Sequence, residues 1–137
     1  MDMTNEFVLE AITREFPDSI ISVSEPYGLL TLELKKEDIK KVIHYLKDTS
    51  LEINFLTDIC GIHYPEKEGN ELGVIYHLHN LKTGFRIRLK AFGAKENIEF
   101  ETLTDLYSGA NWMERETFDF YGIKFKGHPD LRAILNM

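Results

Sequence analysis

The residues whose types and spacing could do chemistry lie in two places, and the first is a pair of histidines. His77 and His79 are separated by one residue in a segment of alternating apolar and polar character, so they share one face of the predicted strand. Imidazole is a common ligand of zinc and iron, and Asp58, Cys60 and His63 in the preceding segment are further possible ligands. The pattern therefore admits a free-standing metal enzyme as one hypothesis.

The strand predicted to pair with this segment weighs against a metal site. With a short loop at Lys82 and Thr83, the register places His77 opposite Arg88 and His79 opposite Arg86, and two guanidinium groups would repel a divalent cation. The opposite face of the hairpin is predicted to be core, with the pairs Tyr76–Leu89 and Leu78–Ile87. Residues 82–95 contain basic but no acidic side chains. We expect this face to be solvated or to dock an acidic partner, and we assign no metal ligand.

The second place is residues 110–121, which lack proline and internal glycine and are followed by Gly122. Glycine at that position is typical of a left-handed helix end, so we predict one helix of about three turns. An ordinary surface helix has one apolar stripe, whereas this one has apolar residues on two arcs. One arc carries Asp119, Trp112, Glu116, Phe120 and Met113, and the roughly opposite arc carries Phe118, Glu114 and Tyr121.

Charged side chains on this helix need partners if the apolar arcs are buried. Glu116 lies between Trp112 and Phe120, and burying its carboxylate alone would be costly, so we expect Arg115 or a residue of another chain to pair with it. Arg115 also precedes Asp119 by one turn. Two carboxylates on one helix are too common to indicate acid–base catalysis.

Length and composition narrow the classes of protein. The chain has 137 residues, 43% of them hydrophobic and 28% charged, which is typical of one soluble globular domain covering 1–137. A net charge of -7 argues against direct binding of nucleic acid or an anionic membrane. Cys60 is the only cysteine, which excludes an intrachain disulfide and an iron–sulfur cluster held by this chain's own thiolates. No apolar run has the roughly 18 residues of a spanning helix, and the polar N-terminus is unlike a signal peptide.

The predicted helices and strands that must position these residues alternate along the chain only in part. Capping, periodicity and turn residues predict helix, strand, strand, helix, strand, strand, strand and helix, at 4–16, 20–23, 30–34, 37–47, 51–62, 73–81, 85–92 and 110–121. In the fifth of these elements, Gly61 indicates a bulge or a close backbone approach. This order favours an α+β fold, a two-layer single domain with a mixed β-sheet.

The region 110–135 resembles a known family. The residues that carry the resemblance are Ala110-Asn111-Trp112, Glu114-Arg115-Glu116, Asp119, Tyr121-Gly122-Ile123, Phe125, Gly127-His128-Pro129, Leu131-Arg132 and Ile134-Leu135, with Leu56-Thr57-Asp58 and Tyr64-Pro65 upstream. They are similar to the hallmark of the C subunit of NADH:quinone oxidoreductase, the "30 kDa" subunit of respiratory complex I. Family members commonly continue into a polar extension along the D subunit, and contacts made by that extension do not carry over to this chain.

The resemblance implies a non-catalytic structural subunit in the peripheral arm of a proton-translocating complex. It implies no cofactor in this chain, FMN and iron–sulfur clusters in partner subunits, and contacts with the quinone-site D subunit and the iron–sulfur subunits B and I. It implies a peripheral position on the cytoplasmic side of a bacterial plasma membrane. The residues expected to shape the docking surface are Trp112, Glu114, Arg115, Glu116, Asp119, His128, Pro129 and Arg132.

The main alternative that the resemblance leaves open is that the chain belongs to a different membrane complex. Related subunits occur in membrane-bound hydrogenases, in formate hydrogenlyase and in ferredoxin-fed complexes. The chemistry would then differ while the structural role stayed the same.

Overall fold

The computed structural model describes residues 3–96 and 98–129. Three α-helices are present in this part of the chain: α1 (Asn5–Glu15), α2 (Ile39–Asp48) and α3 (Ala110–Tyr121). The side chain of Thr4 caps α1 by accepting a hydrogen bond from the Phe7 amide at 3.1 Å, as the sequence predicts. α3 ends at Gly122 with φ of 72°, in the left-handed conformation expected there.

Five strands form a mixed sheet in the order β1-β2-β5-β4-β3. Their bounds are β1 (Ile20–Ser24), β2 (Leu30–Leu34), β3 (Phe55–His63), β4 (Leu72–His79) and β5 (Arg86–Gly93). β2 and β5 are parallel, and the other neighbours are antiparallel. The predicted α+β architecture with a mixed sheet is confirmed, and β3 lies at one edge.

The hairpin of β4 and β5 has the register that the sequence predicts. Tyr76 pairs with Leu89, Leu78 with Ile87, His77 with Arg88 and His79 with Arg86. The apolar pairs are buried in one cluster with the inner faces of α1 and α2. The helices therefore cover one face of the sheet, and the histidines and arginines lie on the other.

β3 begins at Phe55, four residues later than predicted. Glu52 has φ of 47°, a left-handed conformation that interrupts an extended strand, while Leu51 and Ile53 are still buried. The register shift in β3 lies between Leu56 and Asp58, so the bulge is not at Gly61. A close approach does occur at Gly61, where the Tyr121 ring of α3 packs.

Two short strands that periodicity did not predict flank α3 in the sequence. β6 (Glu99–Glu101) and β7 (Lys124–Lys126) pair in parallel, and each has one buried residue, Phe100 and Phe125. Three residues are too few for a period-two pattern to be recognised. This small sheet anchors both ends of the α3 region.

Candidate partner-binding surface

α3 buries its small and hydrogen-bonded side chains and exposes its large aromatic ones. Ala110, Glu114 and Thr117 are the buried residues of the helix, whereas Trp112 is 53% exposed and Phe120 is 82% exposed. The arc with Trp112 and Phe120 is therefore not part of this chain's core. α3 packs mainly against β3. The small side chains of Ala110 and Thr117 on the buried side of the helix allow a close approach to the sheet.

The buried carboxylate of this region is Glu114, not Glu116. Its side chain is 0% exposed and accepts hydrogen bonds from Thr102 Oγ1 at 2.5 Å and from the Leu103 amide at 2.7 Å. Burial raises the pKa of Glu114, and the bonds from Thr102 and Leu103 oppose that rise. Glu114 therefore ties α3 to the segment that follows β6, and it could shape a docking surface only by fixing the position of the helix.

Arg115 does not pair with a carboxylate within residues 3–96 and 98–129. Its guanidinium carbon lies 5.7 Å from the centre of the Trp112 ring, a cation–π contact, and its Nε is buried with no hydrogen-bond partner among the described residues. The expected ion pair between Arg115 and Glu116 is absent because Glu116 is exposed and solvated, so it needs no partner in this chain. Asp119 is half-buried. Pairing of Glu116 with another chain stays a prediction.

The residues after β7 turn back against the start of α3. His128 is half-buried, and its Nε2 lies 3.1 Å from the Asn111 carbonyl oxygen. The turn is made by Gly127, whose φ is 86°, and Pro129 is exposed. Arg132 lies outside the described residues. The structure thus brings His128 to the same end of α3 as Trp112.

A groove of about 400 Å³ runs between the C-terminal half of α3 and the edge strand β3. Among its lining residues are Asp58 and Cys60 from β3, and Glu116, Phe120 and Tyr121 from α3. The Cys60 thiol donates a hydrogen bond to Asp58 Oδ2 at 2.8 Å. Burial, followed by the nearby carboxylates, raises the pKa of Cys60 to about 11, so this thiol is protonated at neutral pH. No pattern in the sequence predicts this groove, because its two walls come from segments about 50 residues apart.

The histidine face has the predicted composition but no grouping suited to a metal ion. His77 Nε2 accepts a hydrogen bond from Arg88 Nε at 3.0 Å. Burial and the Arg88 charge lower the pKa of His77. Among the described residues, no group of three or more histidine, cysteine or acidic side chains is placed to hold a metal.

The fold and this surface define a two-layer α+β domain that exposes an aromatic helix face. The chain matches the family model of the respiratory-chain NADH dehydrogenase 30 kDa subunit over residues 32–137, and it belongs to that family. No helix in the part of the chain described here has the length and apolarity to cross a bilayer.

Relatives in this family are similar along nearly the whole chain. The NADH-quinone oxidoreductase C subunit of Azorhizobium caulinodans is 38% identical over 136 residues, covering 98% of this chain and 64% of the relative. The C subunit of Geobacter metallireducens is 36% identical over 135 residues, covering 98% of this chain and 82% of the relative. The chain therefore spans less than two thirds of the first relative and more of the second.

Two solved structures share the fold. A trypsin-resistant fragment of Nqo5 superimposes with a TM-score of 0.80 at 32% identity, covering 94% of this chain and all of the fragment. A chain of the membrane-bound sulfane sulfur reductase, an archaeal respiratory membrane complex, gives a TM-score of 0.79 at 19% identity, covering 96% of this chain and 75% of that one. The second likeness concerns the fold alone.

Proposed function

We propose that this chain is a non-catalytic structural subunit in the peripheral arm of a proton-translocating NADH:quinone oxidoreductase. In this role it supports electron transfer from NADH to quinone by holding other subunits in place. Membership of the 30 kDa subunit family supports the proposal. The observation that carries it is the exposed aromatic face of α3, where Trp112 and Phe120 leave 53% and 82% of their surface uncovered.

Exposing a large aromatic side chain to water is energetically unfavourable in a free protein, and such side chains are common at protein interfaces. Trp112 and Phe120 lie on one helix, and the Arg115 guanidinium stacks on the Trp112 ring. Tryptophan and arginine are among the residue types most enriched at interface hot spots. A protein partner would remove this apolar surface from water, and each Å² buried would stabilise the complex by about 25 cal/mol.

Contacts on the buried side and at both ends of α3 hold this helix face in a fixed position. Glu114 fixes the side of α3 opposite Trp112, and β6 and β7 hold the segments before and after the helix. A preformed surface loses little conformational entropy when it binds. In our proposal residues 1–137 act as one domain, and residues 110–135 provide its docking surface.

The partners in this proposal are the quinone-site D subunit and the iron–sulfur subunits B and I. In this proposal FMN and the iron–sulfur clusters are held by partner subunits. Cys60 is this chain's only thiol, and one thiolate cannot hold a cluster. The chain would sit peripherally on the cytoplasmic side of the membrane. Trp112, Arg115, Glu116 and Asp119 face the partner, and His128, Pro129 and Arg132 extend the contact.

A related membrane complex with another reaction is the second candidate. The observation in its favour is the fold shared with the archaeal sulfane sulfur reductase chain. The identity of 36% and 38% to C subunits of NADH-quinone oxidoreductase favours the first candidate.

Affinity purification separates these functions. A tagged chain is expressed in its native host, membranes are extracted with mild detergent, and the copurifying proteins are identified by mass spectrometry. We expect flavin, iron–sulfur and quinone-site subunits, with NADH oxidation in the eluate. A nickel–iron hydrogenase set would move the chain to the second candidate. Recovery of the chain alone from the soluble fraction would contradict both and direct attention to metal analysis at His77 and His79.

A further inference from the structure

We propose that the groove between α3 and β3 receives an arginine side chain from an extended segment of a partner subunit. This inference rests on the proposed function, because it names the chemistry of one contact within the same assembly. It concerns the C-terminal half of α3, where Glu116 and Phe120 continue the arc that carries Trp112.

The groove has one wall from each element. Glu116 and Phe120 come from α3, and Asp58 comes from β3. The Tyr121 ring fills the space next to Gly61 and lines the groove at the helix C-terminus. The resulting volume of about 400 Å³ is large enough for a long side chain and the backbone that carries it.

The groove carries two carboxylates that lack cationic partners in residues 3–96 and 98–129. Within the part of the chain that the structure describes, the Asp58 side chain accepts a hydrogen bond only from the Cys60 thiol, and Glu116 is in no ion pair. Arg115 stacks on Trp112 instead. His77, the cross-strand neighbour of Asp58, has its Nε2 occupied by Arg88. The groove is therefore acidic and complementary to a cation.

The apolar component of the groove favours a guanidinium over an ammonium group. Phe120 is 82% exposed, and its ring offers a face on which a planar cation can stack. Arginine can stack in this way and still donate hydrogen bonds in its plane to Asp58 or Glu116. Lysine would pair as a point charge but stack less well.

The edge position of β3 favours an extended segment as the carrier. β3 has nine residues, and in the described part of the chain only β4 pairs with it. Edge strands present unpaired backbone donors and acceptors that an added strand can use. A segment laid along this edge would bring its side chains directly over the groove.

Site-specific cross-linking in the intact complex tests the occupant. Phe120 is replaced by the photo-cross-linker benzoylphenylalanine in the tagged chain, the complex is purified after irradiation, and cross-linked peptides are sequenced. We expect a peptide of another subunit with an arginine within about three residues of the cross-link, a spacing set by residue reach along a strand. The same substitution at Leu81, which is 65% exposed on the β4–β5 loop, is the positional control and should not give this peptide.

Charge reversal tests the electrostatics. Glu116→Lys should lower the recovered complex about tenfold, which corresponds to about 1.4 kcal/mol, while Glu116→Gln should have a smaller effect. Replacing the cross-linked arginine by glutamate should restore the recovery of the Glu116→Lys complex. Glu68→Lys is the matched control, because Glu68 is exposed on the loop between β3 and β4. An unchanged melting temperature of the isolated Glu116→Lys chain would show that folding is intact.

Several results would overturn the inference without touching the proposed function. These are an intact complex with no cross-link from position 120, a cross-link to a second copy of this chain or to a segment without a basic residue, and normal recovery of the Glu116→Lys complex. A wild-type chain that copurifies with no other subunit would overturn both.

Discussion

The Tyr121 ring occupies the space that a side chain at Gly61 would need. A Cβ atom built on Gly61 would lie 2.6 Å from Tyr121 Cε2 and closer still to Cδ2. The C-terminal end of α3 can therefore close on β3 only because residue 61 has no side chain. This contact sets the distance between the helix that carries the aromatic surface and the strand that borders the groove.

Gly61→Ala is expected to destabilise the chain by about 1–3 kcal/mol, because the added methyl group forces the Tyr121 ring to move. Urea unfolding of the isolated chain measures the change. Combining Gly61→Ala with Tyr121→Ala should cost less than the sum of the two single changes, since the second removes the clashing ring. Additive losses would show that the glycine is needed for another reason.

Sequence patterns predict those structural features that depend only on residues close together in the chain. The alternation in residues 73–92 predicts the register of β4 and β5 because each side chain type repeats every second residue. Thr4 and Gly122 predict ends of α1 and α3 because capping requires particular residue types.

The buried side of α3 could not be predicted in this way. A helical wheel shows where large apolar residues lie, but the burial of Glu114 depends on Thr102 and Leu103, which precede it by 12 and 11 residues in an irregular segment. Residue types at 102 and 103 give no signal of that contact. Likewise, the groove can be predicted only if β3 is known to be an edge strand beside α3. The order of strands in a sheet cannot be predicted from any single segment of the sequence.

Glu114→Ala is expected to lower the free energy of unfolding by about 1–3 kcal/mol. The substitution leaves the buried Leu103 amide without its acceptor, and an unsatisfied buried donor carries that cost. Glu116→Ala on the exposed side of the same helix is the control and should change stability by less than about 0.5 kcal/mol. Equal effects of the two variants in urea unfolding would contradict the role assigned to Glu114.

The pH dependence of stability provides a separate test of Glu114. Burial raises its pKa in the folded chain, so its contribution to stability is greatest when the carboxyl is protonated and declines as pH rises from about 4.3 through the folded value. Glu114→Gln resembles the protonated form and does not titrate. The stability advantage of wild type over Glu114→Gln should therefore shrink as pH rises across this window. A difference that stays constant would show that Glu114 has an ordinary pKa.

His77 is expected to make the chain less stable in mild acid. Burial and the Arg88 charge lower its pKa, so wild-type stability should fall as pH decreases below the unfolded-state value of about 6.5. His77→Gln keeps an acceptor for Arg88 Nε but cannot become charged, so melting curves measured from neutral to mildly acidic pH should fall less steeply for this variant. His79→Gln is the matched control on the same face. A wild-type slope that His77→Gln leaves unchanged would remove His77 as the cause.

Trp112→Ala separates an interface role from a core role. Because Trp112 is half-exposed, we expect its removal to cost the isolated chain only about 0.5–1 kcal/mol, the value of its cation–π contact with Arg115. Loss of a buried tryptophan would instead cost about 3–5 kcal/mol. The same variant should be poorly recovered with partner subunits, since the proposed contact loses its largest aromatic side chain. Leu81→Ala removes a comparably exposed apolar side chain on the β4–β5 loop and should assemble normally. A large drop in melting temperature with normal assembly would return Trp112 to the core and weaken the proposed docking surface.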